Sequence, residues 1–440
     1  MKTTLFWSSI MILGFGLTAQ SAEIKNFSDV WSAIKAEHPE LNASKEEVFA
    51  AEESSSRGTR HWLPGLYFSG RGYSTNDPLQ NFMGKLEQRS VLAADFSPDS
   101  LNQPGTNTFG QMSLGADLPI YEGGGSRAFS EMQDFQLQAK QNLNSATEIE
   151  IYSQVVSLYS AVLDANETLE SLDDLKTKVS SILSKYSLGS RSNPVGYSGL
   201  LGLKSILNRI DASINELKIM KANTQNEVAS RAKNINQDWQ PKKEKFSQAL
   251  ESALPEQALK EESESYSMAA HSLFAEMQNS KISMQRSRFL PQLGLFAEGN
   301  YLLGDRTSAT GFTGGVYLKW AIFNPKDFGL VSESKHSYAA AQSKIQSNEL
   351  NEKLARDSSF KTLVTLADNE KLLANSSELM NEQVATASRL FQSGSLNVLQ
   401  MVEVFNRRAD LILQLHELHQ KQIQTRVGLA RMSRMKGIQL

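Results

Sequence analysis

The chain contains no cysteine. That absence excludes disulfides, thiolate metal sites and an N-terminal lipid-bearing cysteine, so an exported form must draw its stability from packing alone. Net charge is also scarce, −3 over 440 residues, and the lysines and arginines are scattered. No nucleic-acid surface is expected from such a distribution. Beyond the N-terminus there is no run of eighteen apolar residues, which excludes a helical membrane protein. A membrane β-barrel stays open, because alternating strands leave little hydropathy signal. Proline is limited to 11 residues, and none falls within 126–185 or 326–393.

What the N-terminus does contain is Lys2, an apolar stretch from Leu5 to Leu17 and small residues through Ala19-Gln20-Ser21-Ala22. This is the order of a secretory signal peptide, expected over 1–21 and expected to be removed. The stretch is too short to span a bilayer as a helix.

The rest of the chain reads as one pattern written twice. His61-Trp62-Leu63-Pro64-Gly65-Leu66 opens a strand signal that Leu118-Pro119-Ile120-Tyr121 closes, and Phe289-Leu290-Pro291-Gln292-Leu293 opens another that Trp320-Ala321-Ile322-Phe323 closes. Each is followed by a long proline-free stretch and a glycine turn, at Gly189 and at Gly394. Pro64 and Pro291 lie 227 residues apart, Tyr121 and Phe323 only 202, and the turn glycines 205. The helical parts therefore keep register, and the first strand pair carries the extra length in a loop. A repeat of this length implies duplicated architecture.

Four segments alternate with period two. Leu66, Phe68, Gly70 and Gly72 oppose Tyr67, Ser69, Arg71 and Tyr73, and Met112, Leu114, Ala116, Leu118 and Ile120 oppose Gln111, Ser113, Gly115 and Asp117. In the second copy Leu293, Leu295, Ala297 and Gly299 oppose Gly294, Phe296, Glu298 and Asn300, and Phe312, Gly314, Val316, Leu318, Trp320 and Ile322 oppose Thr313, Gly315, Tyr317 and Lys319. About ten residues is what a tilted strand needs to cross a bilayer. Alternation alone fits membrane strands and soluble hairpins packed on helices equally well. Four strands cannot close a barrel, and open edges are not tolerated in lipid, so membrane strands would require several chains in one barrel.

The stretches Gly123 to Leu188 and Pro325 to Ser393 read as helices of coiled-coil length. Val155, Val162, Leu169 and Leu183 recur at one heptad position with Leu158, Ala165, Leu172, Val179 and Tyr186 at the other, interrupted by Lys176. Leu366, Leu373, Met380 and Ala387 form a weaker seam. Each glycine turn is then the tip of a helical hairpin.

In this order the residues resemble the TolC-like outer-membrane efflux proteins. The resemblance rests on His38-Pro39-Glu40-Leu41, the two Leu-Pro pairs, the strand-to-helix passages at Leu118 to Gly124 and Lys319 to Asn324, and the two tips. It implies a mixed, mostly α fold with a two-fold internal repeat. Four membrane strands per chain would join a trimeric twelve-stranded barrel, and long coiled-coil helices would form a periplasmic tunnel. The expected divisions are an N-terminal helical segment (22–62), a first β-hairpin (63–121) with an extracellular loop (74–107), and a first helical hairpin (122–221, tip near 187–196). A connecting segment (222–265), a helix (266–289), a second β-hairpin (290–323), a second helical hairpin (324–432, tip near 392–398) and a tail (433–440) follow.

The resemblance further implies a homotrimer in outer-membrane lipid, serving as a passive conduit for an inner-membrane transporter of RND or ABC type through a periplasmic adaptor. It places acidic gate residues six and nine positions after the second tip glycine, which are Gln400 and Glu403 here. Arg407, four residues on, is positioned for an i,i+4 pair with Glu403. Glu403 as a plain solvated helix residue is the alternative. Leu188-Gly189-Ser190 and Gly394-Ser395-Leu396 are the expected adaptor contacts, against ordinary helix-turn punctuation.

Enzymatic readings find no support. Gly123-Gly124-Gly125 precedes a helix but lacks the lysine and hydroxyl residue of a phosphate cradle, so a strand-to-helix hinge is expected there. His416 and His419 share a helix face at i,i+3 spacing, with no third ligand in sequence, and neither metal nor cofactor is expected. Two other functions stay open: the outer component of a type I protein-secretion system, and a soluble periplasmic coiled-coil adaptor.

Overall fold

A computed structural model describes residues 23–187, 192–260 and 263–435. The signal-peptide stretch and the first tip, Leu188, Gly189 and Ser190, lie outside the described residues. In chain order the elements are β1 (Ile24–Lys25), α1 (Phe27–Glu37), α2 (Pro39–Gly58), β2 (Gly65–Thr75), α3 (Pro78–Glu87), α4 (Pro98–Asn102), β3 (Asn107–Glu122), α5 (Gly125–Lys185) and α6 (Pro194–Arg231). Then come β4 (Gln240–Pro241), α7 (Phe246–Ala253), α8 (Glu256–Lys260), α9 (Tyr266–Ser287), β5 (Gln292–Gly304), β6 (Ser308–Lys319), α10 (Leu330–Gln392) and α11 (Val398–Arg431).

β2, β3, β5 and β6 form one antiparallel sheet in that spatial order, so β2 and β6 are its open edges. The register decides what each strand's alternation left open. Phe68 pairs with Leu114, Leu114 with Gly299 and Gly299 with Phe312, while Leu66, Ala116, Ala297 and Gly314 form the next row. Because side chains alternate across a strand, all four apolar sets fall on one face. That face packs on no helix: Leu66 is 76% exposed and Phe312 91%. The other face is polar and cross-linked, with Tyr67 donating to Glu298 at 2.6 Å and Ser113 to Asn300 at 2.5 Å.

The sheet stops at Lys319, short of Trp320 and Ile322, which the alternation places in the strand. Helix also begins later than Pro325. A single 3-10 turn at Pro325–Asp327 intervenes, and Gly329, with φ of 91°, caps α10 in the left-handed conformation. At the equivalent passage in the first half, Gly123 and Gly124 (φ 65° and 80°) turn the chain from β3 into α5. Such angles are open to glycine without the steric cost of a Cβ. The 74–107 stretch is not irregular, since it holds α3, a 3-10 turn at Ala93–Phe96 and α4.

α5 and α10 run 61 and 63 residues, roughly 90 Å each at 1.5 Å per residue. Two separate apolar cores hold the helices together. One, near the middle, gathers Val30, Ile34, Val155, Tyr159, Trp239, Phe246 and Leu429. Trp239 stacks on Tyr159 with ring centres 5.9 Å apart, and its indole N–H donates to the Gln225 carbonyl at 3.3 Å. The other core, toward the tips, joins Leu172, Val179, Leu203, Ile210, Met401 and Phe405. The heptad residues Val155, Val162, Ala165, Leu172 and Val179 are buried in α5, whereas α10 leaves Leu350, Leu354, Leu372 and Leu379 exposed.

Candidate gate and helical joint

The tip between α10 and α11 is built from local rules. The Ser395 amide donates to the Leu390 carbonyl at 2.9 Å and the Gly394 amide to Phe391 at 3.1 Å, with Gly394 at φ 74°. This is a Schellman closure, which needs a left-handed residue after the helix. Asn397 then caps α11: its side chain accepts from the Gln400 amide at 2.9 Å, and its own amide donates to the Gln400 side chain at 3.2 Å. Gln400 is therefore engaged in a capping box, a task that a glutamine or a glutamate side chain performs at this position. Glu403 is exposed and accepts from Arg407 Nε at 2.8 Å. Gln400, Glu403 and Arg407 stand on the exposed side of α11, while Val398, Met401, Val404 and Phe405 bury the opposite side.

Beneath this tip the two hairpins of the chain come close. Tyr186, at the end of α5, packs on Phe391 with ring centres 6.0 Å apart and donates to the Gly196 carbonyl at 3.0 Å. Gly199 and Gly202 of α6 lie directly under Val398 and Val402 of α11. Arg209 pairs with Asp410, linking α6 to α11, and Lys176 pairs with Asp211 at 2.6 Å, linking α5 to α6. An open groove of about 420 Å³ lies beside the tip, lined by Leu379, Thr386, Leu390, Leu396 and Val404.

Between the two apolar cores sits a polar joint that sequence reasoning missed. Asp164 on α5 is fully buried and faces three donors from α11. His416 Nδ1 reaches Oδ2 and His419 Nδ1 reaches Oδ1, each at 2.6 Å, and Gln420 donates to Oδ2 at 2.8 Å. Phe246 of α7 stacks on the His419 ring at 4.3 Å. Burial raises the Asp164 pKa, but the two histidine hydrogen bonds outweigh it and hold the carboxyl below its ordinary value. The histidine pair that sequence spacing offered as a metal candidate thus has a carboxylate acceptor on another helix. No local signal reveals that partner, since 252 residues separate Asp164 from His416.

The whole chain superposes on solved channel proteins over nearly its full length. With CusC, whose structures concern transmembrane channel formation, the TM-score is 0.75 at 14% identity, covering 94% of each chain. The fold is that of the TolC-like outer-membrane channels. The Campylobacter jejuni CmeC outer membrane channel matches this channel fold with a TM-score of 0.74 at 14% identity, over 98% of this chain and 93% of that one. The Vibrio cholerae outer membrane protein VceC matches with 0.71 at 12%, over 92% and 96%. No protein-family model and no curated protein sequence matches the chain. The likeness is thus carried by architecture: a four-stranded sheet on two long helical hairpins.

Proposed function

We propose that the chain is one subunit of a trimeric outer-membrane channel, a passive conduit with no enzymatic step, in a tripartite efflux system. The observation that carries this reading is the sheet. It has one exposed face that is apolar through its middle rows, one largely polar hydrogen-bonded face and two open edges, and such a sheet is satisfied in lipid only when other copies close it into a barrel. The exposed leucines of α10 support it, because a spaced apolar row on a long helix calls for neighbouring helices. In this reading the helices project into the periplasm as a tunnel. Small molecules or metal ions would arrive from an inner-membrane pump of RND or ABC type, and the tips near Gly189 and Gly394 would meet a periplasmic adaptor.

The test is fractionation followed by native mass and bilayer recording. The expected result is a chain that needs detergent for extraction, runs as a trimer and conducts ions. Recovery as a soluble monomer would defeat the proposal.

Within it, Glu403 supplies one carboxylate per subunit near the tunnel mouth, and Gln400 supplies none. Glu403→Gln is expected to weaken block by multivalent cations several-fold in single-channel recordings, and most at low salt. An unchanged block removes Glu403 and its partner Arg407 from the gate.

A further inference from the structure

The segment between β2 and β3 does not project away from the sheet; it folds back onto the polar face. Phe109, Tyr73 and Gly304 belong to that face, since Tyr73 pairs with Phe109 and Phe109 with Gly304. α3 lies on them: a Cβ at Gly84 would stand 2.5 Å from the Phe109 ring, and Gln88 covers Gly304 and donates to the Leu303 carbonyl at 2.8 Å. The segment is pinned at several points. Arg306, in the β5–β6 turn, grips Asp95 with two hydrogen bonds of 2.6 and 2.7 Å and donates to the Ser90 carbonyl at 3.0 Å. Lys85 reaches Asp95 at 3.2 Å, and Arg89 donates to the Thr310 carbonyl at 3.1 Å. The Arg306 hydrogen bonds hold the Asp95 carboxyl well below the usual carboxylate range.

The face of α3 resting on the sheet and its own loop is Asn81, Gly84 and Lys85. The opposite face presents Leu79, Met83 and Leu86, continued by Leu92 and Phe96; all are exposed, Leu79 at 70%. Among the described residues this apolar face stays exposed, and in the barrel reading the polar face it points away from is the inner side of the wall. Three four-stranded sheets closing one barrel give a diameter of about 24 Å, from strands about 4.8 Å apart tilted by about 40°. A helix with its side chains is about 10 Å across, so three of them inside that wall meet each other.

We propose that residues 78–102 form an inward-turned cap whose apolar face, Leu79, Met83, Leu86, Leu92 and Phe96, packs against the same face of the other two copies and narrows the outward mouth. This rests on the trimeric channel reading. The occupant is a second copy because only copies of this chain share the barrel interior, and because the cap is continuous with the open sheet edge at β2 that copies must close.

The absence of native cysteine gives a clean test. Single variants Leu86→Cys, Leu92→Cys and Phe96→Cys would be oxidised in intact outer membranes, with Phe312→Cys on the apolar sheet face as control. At least one cap position is expected to yield a disulfide-linked dimer of this chain, with no linked species from the control. Arg306→Gln, which releases the cap, is expected to abolish the linkage and raise single-channel conductance. Native mass separates the two levels. A trimer in which no cap position links overturns the cap while leaving the channel intact. Absence of a trimer overturns both. Linkage of cap cysteines to a different protein also overturns the cap as a self-contact.

Discussion

Asp164→Ala is expected to lower the stability of the detergent-solubilised protein by about 3 to 5 kcal/mol, the usual cost of stranding partners of a buried charge. The carboxylate is fully buried, and its three donors, His416, His419 and Gln420, all come from α11. Truncation leaves two ring N–H groups and an amide without an acceptor at a place where the apolar cores on either side cannot close over them. A thermal melt checks it, with Asp164→Asn expected to fall between alanine and the parent because the amide oxygen still accepts. The pH dependence has a definite sign. The folded carboxyl titrates below its unfolded value of about 3.9, so its contribution is complete above that value and is lost as pH falls through the lower, folded one. Asp164→Ala should therefore remove part of the stability loss seen on acidification below about pH 4. Equal acid sensitivity in parent and variant would show that the joint does not hold α11.

The joint also shows where sequence reading reaches its limit. The long helices are legible because nothing in 126–185 or 326–393 interrupts them, and α5 buries the heptad residues Val155, Val162 and Leu172, but it also buries Tyr159 and Leu163 off that seam, which the heptads do not announce. Strand alternation is legible too, yet it is silent about which strands pair. Only the register, placing Phe68, Leu114, Gly299 and Phe312 in one row, turns four local patterns into a single apolar face. Short-range chemistry was partly readable. The glycines at 123–125 announce a hinge, whereas the delay of α10 to Leu330 depends on Gly329 adopting φ of 91°, for which the preceding Asn324-Pro325 gives no warning. The family pattern places Gln400 at the gate, and the structure gives its side chain a local task in the capping box with Asn397. Contacts between halves have no sequence signature at all. Asp164 with His416 and Arg306 with Asp95 each join residues more than 200 positions apart, and both rest on tertiary packing.

In the proposed channel, Gly199→Leu is expected to part α6 from α11 at the tip and to raise the resting conductance. Any Cβ at Gly199 falls inside the methyl groups of Val398, and one at Gly202 would lie 3.0 Å from Val402 Cγ2. Val398 is buried and cannot rotate out of the way without giving up its place in the tip-side core beside Met401. Two glycines three residues apart on a helix thus let α11 rest on the α6 backbone, and a leucine side chain must displace one helix. Overpacking of this kind costs about 1 to 3 kcal/mol, less than the loss of Asp164, so the protein should still fold and insert. The displacement is directed. α11 is fixed above by the Asp164 joint and tethered below it by Arg209 to Asp410, so the strain is relieved by swinging its tip end, where Glu403 sits. Recordings should therefore show a higher resting conductance for Gly199→Leu, and Arg209→Ala alone should move it in the same direction by less. If Gly199→Leu destabilises the protein but leaves conductance at the parent level, the tip contact is structural and the gate lies elsewhere on the chain.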